Sequence, residues 1–124
     1  MVSGKILIVE DEEENREILT LHLERTGYQV LEAEDGQRAK EVLQEGNNRT
    51  TVDVIITDIR MPKVNGLEII DYFKEYAPDI SVIVVTGFPD NKLSEQLVKK
   101  GVKKFLVKPV EKQTLLQTVA ELLP

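Results

Sequence analysis

The chain has 124 residues and a formal net charge of −6, with 41% hydrophobic and 31% charged residues, the profile of one soluble domain large enough to bury a core. The negative balance disfavours nucleic-acid backbones, which need clustered positive charge, and the absence of cysteine excludes disulfides, thiolate metal sites and thiol nucleophiles. Apolar runs stay well short of the roughly 20 residues of a membrane helix, and "MVSGKILIVE" enters a strand pattern with no leader pattern, so the expected setting is cytoplasmic, away from membranes.

Short β-branched runs alternate with segments of helical spacing. The first strand, Ile6–Val9, ends at Glu10-Asp11, and "DEEE" (Asp11–Glu14) opens a helix whose positive N-terminal dipole favours acids. Ile18, Leu19 and Leu23, with Leu21 beside them, form that helix's apolar stripe, and Gly27 ends it. The second strand, Val30–Ala33, lies in the more polar "YQVLEA" and suits a sheet edge. Ala39, Val42 and Leu43 mark the second helix, and "GNNRTT" (Gly46–Thr51) reads as a mobile polar loop. The third strand, Val54–Thr57, ends at Asp58, and the turn signal Met61–Gly66 leads into a third helix striped by Leu67, Ile70 and Phe73. The fourth strand, Ile80–Val85, ends at Thr86, and Leu93, Leu97 and Val98 mark the fourth helix, closed near Gly101. Phe105–Val107 is the fifth strand, ending at Lys108-Pro109, and Leu115, Leu116, Val119 and Leu122 stripe a fifth helix. This alternation predicts an α/β three-layer sandwich: a five-stranded parallel sheet flanked by five helices, spanning residues 1–124 as a single domain. "LIV", "VII" and "VIVV" are continuously apolar, as strands buried on both faces are.

The polar residues that end these strands carry the chemistry. In an open parallel sheet the C-terminal strand ends share one edge, around the crevice where such folds bind ligands. Glu10, Asp11, Asp58, Thr86 and Lys108 therefore converge. Any one of them is ordinary as a solvated strand end; four apolar runs ending in complementary groups together are not. Two like charges about 4 Å apart repel by about 4 kcal/mol at an effective dielectric near 20. Three carboxylates against one lysine thus call for a proton or a cation. Oxygen-only ligands fit Mg²⁺, with Mn²⁺ an alternative. A cation, an ammonium and a hydroxyl around one carboxylate make a receptor for a phosphoryl group, with Asp58 as the nucleophile.

With "ILIVEDEEENR", "DVIITDIRMPKVNGLEII", "VIVVTG" and "FLVKPV" in order and at these spacings, the sequence resembles the receiver domain of bacterial two-component response regulators over essentially its whole length. The resemblance implies a flavodoxin-like fold with strand order 2-1-3-4-5. It also implies transfer to Asp58 from a phosphohistidine on a sensor histidine kinase or histidine phosphotransfer protein. Glu10 and Asp11 match the acidic pair that holds Mg²⁺ with Asp58, Asp11 being the first choice as direct ligand, and Arg60 stands where a backbone carbonyl is a further ligand. Lys108 and Thr86 match the phosphoryl-binding lysine and the switch hydroxyl, Phe105 the aromatic switch position, and Pro109 the proline preceded by a cis bond. Arg60 and Phe88 match positions that tune dephosphorylation. Glu10 where aspartate is common and Gly87 where alanine is frequent are departures; the first suggests a water-mediated cation contact, the second a more open site. The implied partners are a kinase or phosphotransfer protein and an output domain or protein partner. A homodimer through the fourth helix, fifth strand and fifth helix is a further possibility, with Lys99, Lys100, Lys103 and Lys104 on that face.

Other readings stand beside this one. His22 is expected to be a packing or surface residue, and Tyr28, Tyr72 and Tyr76 part of the core or surface. A flavin carrier on the same fold would want hydroxyls and glycine after the first strand, where Glu10–Glu14 would repel a phosphate. A Mg²⁺-dependent phosphatase would want a second carboxylate close after Asp58, where Arg60 supplies a cation. A receiver-like scaffold that is never phosphorylated is the nearest alternative; the intact Asp58, Thr86 and Lys108 argue against it. The expected chemistry is self-phosphotransfer with slow hydrolysis, not turnover of a substrate.

Overall fold

The computed structural model describes residues 3–59, 66–87 and 90–123. The β-branched runs and helical stripes fold in the order β1 (Lys5–Val9), α1 (Glu13–Thr26), β2 (Gln29–Ala33), α2 (Gly36–Gln44), α3 (Asn48–Thr51), β3 (Val54–Asp58), α4 (Gly66–Tyr76), β4 (Ser81–Thr86), α5 (Asn91–Lys99), β5 (Lys104–Val107) and α6 (Lys112–Leu122). The strands form one parallel sheet in the order β2-β1-β3-β4-β5, as expected, with the more polar β2 on an edge. Thr57 pairs with both Val9 and Val84, and Thr86 with Val107, so the strands finish at nearly one level.

Side chains alternate between the two faces of each strand, which divides the core in two. On one face Leu7, Val9, Ile55, Val82 and Val84 pack under α2, α4 and α5 through Ala39, Leu43, Ile70, Phe73 and Leu97. On the other, Ile6, Ile8, Val54, Ile56, Ile83 and Val85 meet Leu19 and Leu23 of α1 and Leu115 and Val119 of α6. Two stripes are narrower than expected. Leu19 and Leu23, one turn apart, are buried, while Ile18 and Leu21 are 51% and 43% exposed, because at about 100° per residue they fall off the sheet-facing line. Val98 of α5 is exposed for the same reason.

Among the described residues there are six helices where the sequence pattern suggested five. The polar "GNNRTT" segment, expected to be a mobile loop, carries the single turn α3 and is tied at several points. The Asn48 amide donates to the Val42 carbonyl at 2.7 Å, and the Lys5 ammonium donates to Asn48 Oδ1 at 2.6 Å and Thr51 Oγ1 at 3.0 Å. The fourth and fifth helices of the sequence pattern are therefore α5 and α6. Replacing Asn48 with alanine removes two of these bonds and is expected to destabilise the domain by about 1–2 kcal/mol, measured by urea denaturation, with faster amide exchange across residues 46–52.

Candidate functional site

Glu10 follows β1 directly and continues the sheet, its amide donating to the Ala33 carbonyl at 3.0 Å. Its side chain is carried into the interior rather than outward: the residue is 2% exposed. Asp58 is the last residue of β3 and 6% exposed. Beyond β5, the Lys108 amide donates to the Thr86 carbonyl at 2.9 Å, which sets Lys108 alongside the end of β4; the peptide that follows, Lys108-Pro109, is cis as expected. From there the ammonium reaches back 2.5 Å to Asp58 Oδ2 and 2.8 Å to Glu10 Oε1. A charge at a buried strand end is costly without a partner. One partner of Asp58, Lys108, lies 50 residues along the chain.

One carboxylate oxygen each from Glu10, Asp11 and Asp58 lies within 4.8 Å of the others, with Asp11 exposed and the other two buried. Glu10 also accepts from the Glu12 amide at 3.1 Å through Oε2. Burial pushes the Glu10 carboxyl above the usual range, and the contacts to Lys108 and the Glu12 amide offset this only in part. For Lys108 burial alone would lower the pKa, but the bonds to Asp58 and Glu10 and their charges prevail and raise it above the ordinary lysine value. Three carboxylates and one ammonium leave the cluster at a formal charge of −2. An all-oxygen, net-negative donor set that is open on the Asp11 side suits a hard divalent cation of the Mg²⁺ class.

Thr86, at the end of β4, is 7% exposed and adjoins this cluster through its carbonyl bond to Lys108. Gly87 next to it is exposed, and a Cβ there would meet nothing nearer than Lys108 Cβ at 4.0 Å. Phe105 lies opposite Val84 on β5, half-buried against the core beneath α4 and α5, and not among the carboxylates. Helix α1 begins at Glu13, with Glu13 and Glu14 in its first turn, so the acidic tract divides between helix start and cluster. His22 is half-buried within α1. Lys100 pairs with Asp71 at 2.7 Å and Lys104 with Glu121 at 3.0 Å. Arg60, Phe88 and the turn residues Met61–Asn65 lie outside the described residues.

Two contributors escaped the sequence pattern. Gly66 reads there only as punctuation, yet a Cβ on it would come within 2.5 Å of the Ile59 carbonyl oxygen, so only glycine lets α4 start against the peptide that follows Asp58. Arg16, on α1, donates to the Glu10 carbonyl at 2.9 Å; a basic residue six positions after Glu10 was the only signal available.

A model of the response regulator receiver domain matches residues 6–120. The chain belongs to this family. The receiver-domain assignment agrees with the solved structures. The chemotaxis protein CheY4 of Vibrio cholerae superimposes with a TM-score of 0.88 at 27% identity, covering 98% of this chain and all of that one. A response regulator receiver domain protein from Clostridium thermocellum gives 0.87 at 32% identity, covering 95% and 92%. Among curated relatives, a cyclic di-GMP phosphodiesterase of Thermotoga maritima is 34% identical over 89% of this chain, and the transcriptional regulatory protein GlrR of Escherichia coli 32% over 95%. The sensor kinase CckA of Brucella abortus is 32% identical over 98%. The chain spans only 28%, 26% and 13% of the lengths of these three. The receiver domain is thus a signalling module, with no helix among the described residues long and apolar enough to cross a membrane.

Because the Lys108 pKa is raised on folding, its ion pairs stabilise the protein fully below the ordinary lysine value, and this is lost as the pH climbs past it. In metal-free protein Lys108→Met is expected to cost about 3 kcal/mol, the low end for stranding a buried charge. Denaturant titrations from pH 7 to pH 12 should show the gap between wild type and variant constant at first and shrinking above about pH 10.5.

Proposed function

We propose that this domain is a phospho-accepting switch in which Asp58 takes a phosphoryl group from a phosphohistidine on a sensor histidine kinase or histidine phosphotransfer protein. The observation that carries this reading is the Lys108 ammonium held between Asp58 and Glu10, with Asp11 completing an open acidic cluster at the strand ends. A carboxylate oxygen of Asp58 attacks phosphorus, the phosphorus–nitrogen bond breaks, and the imidazole leaves with that electron pair, giving an acyl phosphate on Asp58. Glu10, Asp11 and Asp58 would hold Mg²⁺, with the backbone carbonyl of Arg60 as the further ligand implied by the family; bound there, the cation neutralises charge on the transferring oxygens. Lys108, already poised 2.5 Å from Asp58, turns its charge to a phosphoryl oxygen. Thr86, at the adjoining strand end, supplies a hydroxyl to another.

These positions support a switch. A contact between the phosphoryl group and Thr86 pulls on the end of β4, and Phe105 on β5 is the neighbour able to exchange one half-buried arrangement for another. The phosphoryl group needs only a few kcal/mol of differential interaction to shift two pre-existing states. The face of α5, β5 and α6, where Val98 and Val107 are exposed, is where an output partner or a second copy reads the change. Arg60 and Phe88 are assigned to tuning dephosphorylation. The domain modifies itself rather than turning over a substrate.

Intact mass after incubation with Mg²⁺ and a small-molecule phosphodonor tests the acceptor. One added phosphoryl group is expected on wild type and none on Asp58→Asn or in the presence of chelator. No phosphoryl gain from a small donor on folded wild type, together with no chemical-shift response to beryllofluoride and Mg²⁺, would favour a protein-binding scaffold instead. Thr86→Ala is expected to accept phosphate at a rate within about threefold of wild type but to lose most of the phosphorylation-dependent chemical-shift change at Phe105.

A further inference from the structure

Arg16 is the one cation other than Lys108 that touches the acidic loop among the described hydrogen bonds and ion pairs. It sits in the first turn of α1, its amide donating to the Glu12 carbonyl at 3.0 Å, and its side chain is only 17% exposed. One guanidinium nitrogen donates to the Glu10 carbonyl at 2.9 Å. Its Nε lies 3.3 Å from Glu32 Oε1 on β2. The carbonyl it holds belongs to the peptide joining Glu10 to Asp11, so the fork fixes the plane from which both carboxylates spring. The amide of Glu10 is meanwhile held by Ala33, the residue that ends β2. The Glu10 backbone is thus gripped by β2 on one side and by an arginine braced on β2 on the other.

We propose that Arg16 is a positioning residue for the cation site: it clamps the Glu10–Asp11 peptide so that the acidic pair faces Asp58. This rests on the cation reading of Glu10, Asp11 and Asp58 given above. The sign of the effect separates the clamp from two simpler roles. As a mere positive charge near a cation site, Arg16 would repel the incoming ion, and removing it would tighten binding. As a mere cross-link between α1 and β2 through Glu32, its loss would lower stability and leave binding unchanged. As a clamp, its loss frees the peptide and weakens binding, in line with the roughly 10–100-fold cost of removing groups that orient metal ligands.

The test is Mg²⁺ titration calorimetry at fixed ionic strength on wild type and Arg16→Met, with melting temperatures and the ¹⁵N order parameter of the Asp11 amide recorded on metal-free protein. The expected result is about tenfold weaker Mg²⁺ binding by Arg16→Met, together with a lower Asp11 order parameter. Unchanged or tighter binding overturns the clamp, whatever happens to the melting temperature. Should Arg16→Met fail to fold, Arg16→Lys is read in its place. It keeps the charge but not the two-armed fork, and binding severalfold weaker than wild type is expected; unchanged binding overturns the proposal. If wild type itself takes up no Mg²⁺, the cation reading fails, and the metal-free Asp11 order parameter still decides the clamp: a fall supports it and no change overturns it.

Discussion

An ammonium shared by two buried carboxylates is the constraint around which the rest of this structure is arranged. Glu10 and Asp58 sit at the ends of neighbouring strands, each preceded by four buried residues (Ile6–Val9 and Val54–Thr57), a setting in which an unpaired charge would cost several kcal/mol. Lys108 makes that setting tolerable, and it does so from the far side of β4. Among the described ion pairs, the charge that answers both acids comes from just beyond β5. The compensation is incomplete: burial still leaves the Glu10 carboxyl easier to protonate than usual, and Asp11 brings a third acid to the rim. A site that keeps surplus negative charge in a partly dry environment is suited to taking up a cation and, with it, a phosphoryl group.

The scaffold gathers that site at the strand ends: Asp58 closes β3 and Thr86 closes β4, while Glu10 and Lys108 come directly after β1 and β5. Parallel strands with apolar side chains on both faces lock the ends of β1, β3 and β4 to one level, which brings the backbones carrying Glu10 and Asp58 side by side. Backbone bonds then extend the ladder past the strands, from Glu10 to Ala33 and from Lys108 to Thr86. Gly66 brings α4 hard against the Ile59 peptide immediately after Asp58.

The relatives place the same module in proteins named as a transcriptional regulatory protein, a sensor kinase and a phosphodiesterase, of which it forms a minor part. Shared architecture says nothing about which output a given receiver controls, because that depends on surface contacts and not on the sheet. Here the α5–β5–α6 face exposes Val98 and Val107, beside the Lys100–Asp71 and Lys104–Glu121 pairs.

Much of this was legible in the residues alone, and the boundary is physical. Strands, their order of burial, the polar edge strand and the four strand-end groups follow from periodicity and from the cost of ending an apolar run on a charge, both local properties of the chain. Strand order came through resemblance to a family, since periodicity does not say which strands are neighbours. Residues whose roles depend on non-local geometry were not legible. Ile18 and Leu21 look like core until α1 is laid on the sheet and its contact proves one turn-line wide. "GNNRTT" looks like a loop until Lys5, more than 40 residues away, hydrogen-bonds to Asn48 and Thr51. Arg16 looks like any surface arginine until β2 brings Glu32 beside it. The sequence by itself determined the kinds of element and the chemistry available at their ends, because both depend on neighbours in the chain. Which charge answers which, and what holds the acids in place, only the tertiary structure decided, because those pairings join residues that folding alone brings together.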